Sequence, residues 1–215
     1  MFLLVDKPQW YTSFDVVEKI KRLYRPEKVG HAGTLDPMAT GLLIIGIWKD
    51  TKKLWEITWA NKTYVATIDF SKSSDTRDMD YWKEFHQREI DMQSSILHIQ
   101  DREVVFPRIE QITPLLDSII GEHRLPLTPF SARKVRGKKL YEYARAGSPM
   151  FFDVPMTVYS YQIVSYAFPL LDIQISVGSG TYIRSIAYRL GRELSVGGIL
   201  TMLRRTQIAG YHLPV

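Results

Sequence analysis

The chain has no cysteine among its 215 residues and no apolar run as long as a membrane span. The first absence excludes disulfides and thiolate metal sites, and a bilayer-crossing helix needs roughly 20 apolar residues. The apolar start, Phe2 to Val5, is too short for a secretion signal and is typical of a first strand. These absences suit a reducing compartment, so we expect a cytoplasmic protein with no membrane contact.

The charge balance is basic but small. Lys and Arg number 28 against 23 Asp and Glu, which gives a net charge of +5 and a pI near 9.3. The basic residues are concentrated in two segments that also contain tyrosine, Lys19 to Lys28 and Arg133 to Arg145. One such segment alone is usually a solvated surface. Two of them favour a nucleic acid, because phosphates bind Lys and Arg and unstacked bases bind flat rings.

The order of predicted elements favours one α+β domain. Apolar runs and alternation predict strands at 2–5, 42–47, 63–70, 157–168, 170–177 and 206–213. Helical spacing predicts helices between Thr12 and Pro26, within 107–120 and within 178–194. Since neighbouring strands form hairpins rather than alternating with helices, we expect a central mixed, mainly antiparallel sheet flanked by helices.

Three local features refine this prediction. Thr12 and Asp15 form a capping box at the start of the first helix, whose Val16, Val17, Ile20, Leu23 and Tyr24 form a stripe that we expect to be buried. Pro114 predicts a kink or a break in the second helix. The basic, irregular, Pro- and Gly-rich segment 124–150 is typical of an inserted loop rather than core, and only "KKLYEYAR" within it is predicted to be helical.

The segment "GHAGTLDPMATG" (residues 30–41) places Asp36 before Pro37 among small and turn-forming residues. A phosphate-binding loop is disfavoured, because Gly33 comes too early and no Lys follows. Two interpretations remain open on the local residues: an ordinary turn, or a carboxylate displayed on a stiff turn as a nucleophile or base.

Five ordered segments resemble the motifs of the TruB-type pseudouridine synthases. They are "GHAGTLDPMATGLL", "NKTYV", "SARKVRGKKLYEYARAG", "GSGTYIRSIA" and "LRRTQIAGY", and together they span most of residues 1 to 211. "HAGTLDPMATG" and "KLYEYAR" fit the bacterial branch that acts on tRNA better than the RNA-guided branch. The resemblance implies the pseudouridine synthase fold and isomerisation of the T-loop uridine at position 55 of tRNA.

The resemblance also implies roles for single residues. Asp36 matches the catalytic carboxylate, Arg184 the arginine that pairs with it, and Tyr64 the active-site tyrosine that stacks on a flipped base. Whether Asp36 attacks C1′ or C6, or assists a glycal route, is left open by the sequence. His31, Tyr182 and Leu203 are expected to bind the substrate uridine: His31 helps to extrude the base and Leu203 packs under the uracil.

The remaining expectations concern partners. We expect RNA contacts, by charge and by family position, at Lys19, Arg22, Arg133, Lys134, Lys138, Lys139 and Arg204. The resemblance implies no cofactor and no metal, tRNA bound through its T arm, and a monomer. It also implies a single catalytic domain, 1–215, with 124–150 as a thumb-like RNA-binding insertion within it, and the absence of the C-terminal PUA domain of many relatives.

Two alternatives and one departure from the family pattern accompany this interpretation. The alternatives are an RNA-guided pseudouridine synthase subunit and a non-catalytic chaperone that refolds tRNA. The departure is the acidic segment "SSDTRDMDYW", which keeps Asp75, Thr76, Asp78 and Asp80 but has Tyr81-Trp82 where relatives usually have glycine. We therefore expect a rearranged strand or turn there.

Overall fold

The structure is a computed structural model that describes residues 1–74, 76–78 and 106–213. The acidic segment is therefore covered only in part. Asp75, Asp80 and the Tyr81–Trp82 pair, on which the predicted rearrangement rests, lie outside the described residues, whereas Thr76 and Asp78 lie within them.

Strands dominate the described part of the chain. In chain order they are β1 (Phe2–Lys7), β2 (Val29–His31), β3 (Thr40–Ile47), β4 (Lys62–Asp69), β5 (Gly121–Pro126), β6 (Lys134–Val135), β7 (Lys138–Lys139), β8 (Asp153–Ala167), β9 (Leu170–Val177), β10 (Ile199–Ile208) and β11 (Tyr211–His212). The helices are α1 (Ser13–Tyr24), α2 (Leu54–Thr58), α3 (Ile109–Ser118), α4 (Leu140–Arg145) and α5 (Ile183–Glu193), and a 3-10 helix covers Trp48–Lys53.

One mixed sheet organises these elements. Its strand order is β1-β3-β10-β4-β9-β8-β5, with β2 paired to β3 and β11 paired to β10. Strands β3 and β10 run parallel, and the other strand pairs within the described residues are antiparallel. The predicted fold class, α+β with a mixed, mainly antiparallel sheet and flanking helices, is confirmed.

The core explains why the helices lie against this sheet. The largest apolar cluster joins Ile112 and Leu116 of α3 and Ile186 of α5 to alternate residues of β4, β8 and β9. A smaller cluster joins Val16 and Val17 of α1 to β3, whose residues are almost completely buried. Within the described residues, no helix is long and apolar enough to cross a membrane.

Helix α1 begins as predicted but is less buried than predicted. Both capping-box bonds are present: the Asp15 N–H donates to Thr12 Oγ1 at 3.1 Å, and the Thr12 N–H donates to Asp15 Oδ2 at 2.8 Å. The predicted burial of Leu23 and Tyr24 is wrong, since they are 66% and 49% exposed. The apolar cluster that covers Val16 and Val17 does not reach the last helical turn.

Other boundaries differ from the sequence prediction. Helix α3 continues through Pro114 as one helix rather than two pieces. The predicted insertion begins inside the main sheet, because Arg124–Pro126 belong to β5 and pair with β8. The predicted last strand is the end of β10 followed by β11, and β10 already begins at Ile199. The position of β10 matters most, because this strand carries part of the site described below.

Candidate active site

A cleft of about 570 Å³ opens beside β4 and β10. Its lining comes from distant parts of the chain: the loop between β2 and β3, the end of α2, strand β4, the insertion at Ala132 and Arg133, Pro155 of β8, the segment 179–184 that leads into α5, and strand β10. Of the residues predicted to act at the site, the lining includes Asp36, Tyr64, Arg133, Tyr182, Arg184 and Leu203. The fold thus brings together side chains from distant motifs.

Asp36 lies at the first position of a tight turn. The Ala39 N–H donates to the Asp36 carbonyl at 3.1 Å, and Pro37 occupies the second position, where proline favours such turns. The Asp36 side chain remains 28% exposed, so the carboxylate is accessible from the cleft. The two interpretations left open by the sequence are therefore compatible, because an ordinary turn displays the carboxylate.

The start of the chain holds this turn in place. The buried Lys7 ammonium donates to the carbonyl of Pro37 at 3.2 Å and also to those of Pro8 and Tyr11 at 3.0 and 2.6 Å. The Trp10 N–H donates to the same Pro37 carbonyl at 2.7 Å. A backbone tied at several points loses little further entropy when a substrate binds.

Ser13 fixes the residue that precedes Asp36. Its hydroxyl donates to the Leu35 carbonyl at 3.2 Å and accepts from the Leu35 N–H at 2.9 Å. Because Ser13 is the first residue of α1, the helix and the turn are coupled directly. Since these bonds tie both sides of Asp36, the turn presents its carboxylate from a rigid backbone.

Arg184 contacts the exposed carboxylate from a buried position. Its Nη2 donates to Asp36 Oδ1 at 2.9 Å and to the Phe130 carbonyl at 3.1 Å. The Arg184 side chain is 4% exposed, against 28% for Asp36. The guanidinium is thus fixed by the protein, while one side of its carboxylate partner faces the cleft.

A second carboxylate and a second carbonyl complete the surroundings of Arg184. Nη1 lies 3.1 Å from Asp78 Oδ2, and it donates to the Thr76 carbonyl at 2.9 Å. Asp78 is fully buried, so this ion pair is shielded from water. A buried guanidinium is stable only with such partners, and here they also set its orientation toward Asp36.

Strands β4 and β10 form the wall of the cleft. Tyr64 and Leu203 are 7% and 6% exposed, and both line the cleft. Tyr64 pairs in register with Arg205, which is buried and also lines the cleft. Arg205 Nε donates to the Leu42 carbonyl at 2.8 Å, and Nη2 donates to the Gly33 carbonyl at 3.1 Å. The wall therefore combines apolar surface with fixed positive charge.

Lys62 adds a second cation to this wall. It lies two residues before Tyr64 on β4, and therefore on the same face of the strand. Its ammonium donates to the carbonyls of Thr58 and Ala60 at 2.8 and 2.6 Å. Burial, together with the charge of Arg205, lowers the pKa of Lys62 to about 8. The Lys62 ammonium therefore loses its proton at a pH only slightly above neutral.

Tyr182 lies at the start of α5, beside the ion pair. Its ring lines the cleft, and its backbone N–H contacts Met156 Sδ at 3.4 Å. Burial raises the pKa of the Tyr182 hydroxyl, and the charge of Asp36 acts in the same direction. The phenol therefore remains protonated at neutral pH and can donate a hydrogen bond.

His31 and Arg204 are among the predicted residues that lie outside the described lining of the cleft. His31 on β2 is partly buried, and burial, followed by the charge of Arg205, lowers its pKa, so that the imidazole is neutral at pH 7. Arg204 forms two bonds with Asp6, from Nη1 to Oδ1 at 2.9 Å and from Nη2 to Oδ2 at 2.7 Å. Side chains alternate along a strand, so Arg204 extends to the face opposite Leu203 and Arg205.

The predicted RNA contacts lie on two exposed surfaces. Lys19 and Arg22 are exposed on α1. In the insertion, Lys134 and Lys138 are exposed on the β6–β7 hairpin, and Arg133 lines the cleft itself. Lys139 is partly buried and donates to the Tyr141 hydroxyl at 3.3 Å. The insertion therefore connects the cleft to an outer basic surface.

Four residues that shape the site were not predicted from the sequence: Lys7, Trp59, Lys62 and Arg205. Lys62 and Arg205 each lie two residues along a strand from a predicted site residue, Tyr64 and Leu203. Because residues two apart share a face of a strand, this spacing would have placed both on the face toward the cleft. Lys7 and Trp59 carry no such local signal, because their roles depend on contacts with other segments. Among the described residues, no group of three or more His, Asp or Glu is arranged to hold a metal ion.

Known proteins share both the sequence pattern and the fold. A model of the TruB family pseudouridylate synthase N-terminal domain matches residues 21–183. The tRNA pseudouridine synthase B of Caldicellulosiruptor saccharolyticus is 37% identical over 206 residues, which make up 95% of this chain and 66% of that protein. The chain thus spans about two thirds of the length of this curated relative.

Solved structures agree on the architecture. A chain of a Cbf5-Nop10-Gar1 complex superposes with a TM-score of 0.70 at 24% identity, over 99% of this chain and 50% of that one. A crystal structure of a pseudouridylate synthase superposes with a TM-score of 0.51 at 16% identity, over 99% of this chain and 64% of that one. The fold is that of the pseudouridylate synthases. With the family model covering most of its length, the chain belongs to the TruB family.

Proposed function

We propose that the chain converts the T-loop uridine at position 55 of tRNA to pseudouridine. Three observations support this proposal: the family membership, the similarity to a tRNA pseudouridine synthase B, and the basic cleft that holds Asp36. The observation that carries it is the partly open Asp36 carboxylate, held at 2.9 Å by a buried Arg184.

The reaction is an isomerisation, in which the atoms of substrate and product balance. The bond from C1′ to N1 breaks, the uracil turns, and a bond from C1′ to C5 forms. C5 loses its hydrogen, and N1 gains a proton. No electrons enter or leave, so a carboxylate and proton-transferring groups suffice for the chemistry.

Asp36 is the proposed catalytic carboxylate. Its partner Arg184 limits the motion of the side chain, which remains partly open to the cleft. Tyr64 and Leu203 provide apolar surface against which the uracil packs once it leaves the RNA stack. Tyr182, which also lines the cleft and keeps its phenol protonated at neutral pH, is the proposed hydrogen-bond donor to the substrate.

The target uridine has to leave a folded loop before it reaches Asp36. Base flipping costs a few kcal/mol, and stacking on an aromatic ring returns about 1–3 kcal/mol per base. Phosphate contacts supply the rest, and Arg133, Lys134, Lys138 and Lys139 of the insertion, with Lys19 and Arg22 of α1, are the proposed sources. His31 and Arg204 are weaker candidates, because His31 is partly buried outside the cleft lining and the Arg204 guanidinium is already bonded to Asp6.

The proposed unit of function is one catalytic domain with the insertion as its RNA-binding arm. We place the enzyme in the cytoplasm, where tRNA is used, and propose that it acts as a monomer without a cofactor. The RNA-guided and chaperone alternatives differ from this proposal in a measurable way. A guided subunit requires a guide RNA, and a chaperone leaves no modified nucleotide.

One experiment tests the proposal against both alternatives. Unmodified tRNA and a bare T-arm stem-loop are incubated with the protein, and pseudouridine is mapped at nucleotide resolution. The proposal predicts pseudouridine at the T-loop uridine of both RNAs without a guide. Refolded tRNA with no pseudouridine, or modification only after a guide RNA is added, would contradict it.

A further inference from the structure

Two tryptophans, one in the short helix α2 and one directly after its end, are unusually exposed. Trp55 and Trp59 are 64% and 72% exposed, and Trp59 is the most exposed of the large apolar side chains that the structure describes. Tryptophan has a large apolar surface, so leaving it in water forgoes stabilisation that burial would provide. Exposed aromatic surface of this kind is typical of a binding site.

The opposite face of helix α2 is already buried. Leu54 and Ile57 are 8% and 7% exposed and pack in a cluster with Leu42 and Ile44 of β3. Trp55 therefore lies on the free face of α2, with Trp59 directly after the helix, and these two exposed side chains contribute little to its attachment. The Trp59 N–H donates to the Trp55 carbonyl at 3.2 Å, so one helical turn separates the two side chains.

Trp59 also belongs to the cleft. It lines the same cavity as Asp36, Tyr64 and Arg184, whereas Trp55 lies outside the described lining. The exposed pair therefore begins at the proposed uridine site and continues away from it. Because the exposed tryptophans extend from the proposed uridine site, we expect them to contact the nucleotides next to that uridine, which have to lie where the cleft opens.

The backbone around Trp59 is held rigidly. The Lys62 ammonium donates to the carbonyls of both neighbours, Thr58 and Ala60, at 2.8 and 2.6 Å. The Ser179 hydroxyl donates to the same Thr58 carbonyl at 2.8 Å. An exposed ring on a fixed backbone is suited to stacking, because little motion is lost when a base lies against it.

We propose that Trp59, extended by Trp55, is a stacking platform for the RNA bases that flank the target uridine. This inference rests on the proposed function, because it assumes an RNA strand in the cleft. Exposed Lys49 and Lys52 precede α2 and supply positive charge for the backbone of that strand. Stacking on a flat ring accepts every base, so the platform adds affinity without reading sequence.

The test compares four variants with the wild-type chain on a T-arm stem-loop. Trp59→Ala should raise KM and the RNA dissociation constant about 5- to 140-fold, as expected for the loss of one stacked base, with kcat nearly unchanged. Trp59→Phe should recover most of the affinity, and Trp55→Ala should show a smaller loss. Trp48→Ala is the matched control, since Trp48 is 46% exposed and lies outside the described lining, and it should bind normally.

A fluorescence titration makes the outcome independent of turnover. RNA should quench tryptophan emission of the wild-type chain, and Trp59→Phe should lose a large part of that quenching. The proposed platform would be overturned if Trp59→Ala bound RNA as tightly as the wild-type chain. It would also be overturned if this variant changed the oligomeric state of the protein and left its RNA affinity unchanged. Failure of the proposed function gives a different result from failure of the platform. In that case neither RNA gains pseudouridine, whereas the fluorescence titration still measures whether RNA stacks on Trp59.

Discussion

The Asp36 carboxylate and the Arg184 guanidinium lie 2.9 Å apart, although 148 residues separate them in the chain. Asp36 belongs to a turn that is held by the first residues of the chain, and Arg184 to the first turn of α5. The sheet brings these two parts together at the cleft. The geometry of the pair is therefore a property of the whole fold, and distant changes can disturb it.

Removing Arg184 should destabilise the fold as well as the site. Arg184→Met leaves the fully buried Asp78 without this cation, and loss of one partner of a buried pair costs about 3–5 kcal/mol. Arg204→Met is a matched control, because its pair with Asp6 is exposed and such pairs are worth about 1 kcal/mol or less. Urea unfolding measures both, and equal losses would contradict the account.

Lys7 should affect turnover without touching the substrate. Lys7→Met removes the donor to the carbonyls of Pro8, Tyr11 and Pro37, which should lower the free energy of unfolding by about 1–3 kcal/mol. The Asp36 turn then loosens, so kcat should fall more than affinity for RNA. Single-turnover rates and an RNA titration check this split, and a wild-type kcat would show that the Lys7 bonds do not position Asp36.

Gly41 should tolerate no side chain. Its φ is +101°, and a Cβ there would lie 2.3 Å from the Arg205 carbonyl oxygen on the neighbouring strand. Gly41→Ala should therefore cost more than about 3 kcal/mol through strain and overpacking. Gly137→Ala shares the positive φ, at +84°, but meets no atom within 4 Å, so its cost should be about 1–2 kcal/mol. Comparable melting temperatures for the two variants would contradict this difference.

RNA binding should weaken as the pH rises through about 8. Burial and the charge of Arg205 lower the pKa of Lys62 to about 8, so its ammonium loses its charge there and attracts phosphate less. The dissociation constant should rise between pH 7 and pH 9 in the wild-type chain and stay nearly flat in Lys62→Met. A pH profile that is the same in both would exclude Lys62 as the source.

The same pKa shift predicts the opposite trend for stability. In the unfolded chain Lys62 keeps its proton up to its ordinary pKa of 10.5, whereas the folded chain releases it near 8. The unfolded state therefore binds more protons between these values, and the contribution of Lys62 to the free energy of unfolding rises with pH there. Unfolding curves of Lys62→Met, compared with the wild-type chain, isolate this contribution.

Local chemistry allowed much of the fold to be predicted. Thr12 and Asp15 cap α1 as their types require, and the apolar runs of β3, β4 and β9 are buried as their patterns indicate. Leu23 was predicted wrongly, because helical spacing alone does not say how far a neighbouring strand covers a helix. The start of β10 was missed because the buried Arg205 interrupts its apolar pattern.

The site was predictable where motifs carried it and not where tertiary contacts built it. Asp36, Tyr64 and Arg184 stand in motif segments, and they meet at the cleft. Lys7 acts through three carbonyls, one of which lies 30 residues away in the chain, so no local pattern indicates it. The catalytic and RNA-binding roles themselves stay predictions.

The most direct test of the central claim is the rate of pseudouridine formation by Asp36→Asn on the T-arm stem-loop. This variant keeps the shape of the side chain and loses its negative charge. The account predicts no detectable pseudouridine, with RNA binding close to wild type and with full activity in Asp117→Asn, whose aspartate is exposed on α3 outside the described cleft lining. A wild-type rate in Asp36→Asn would contradict the claim.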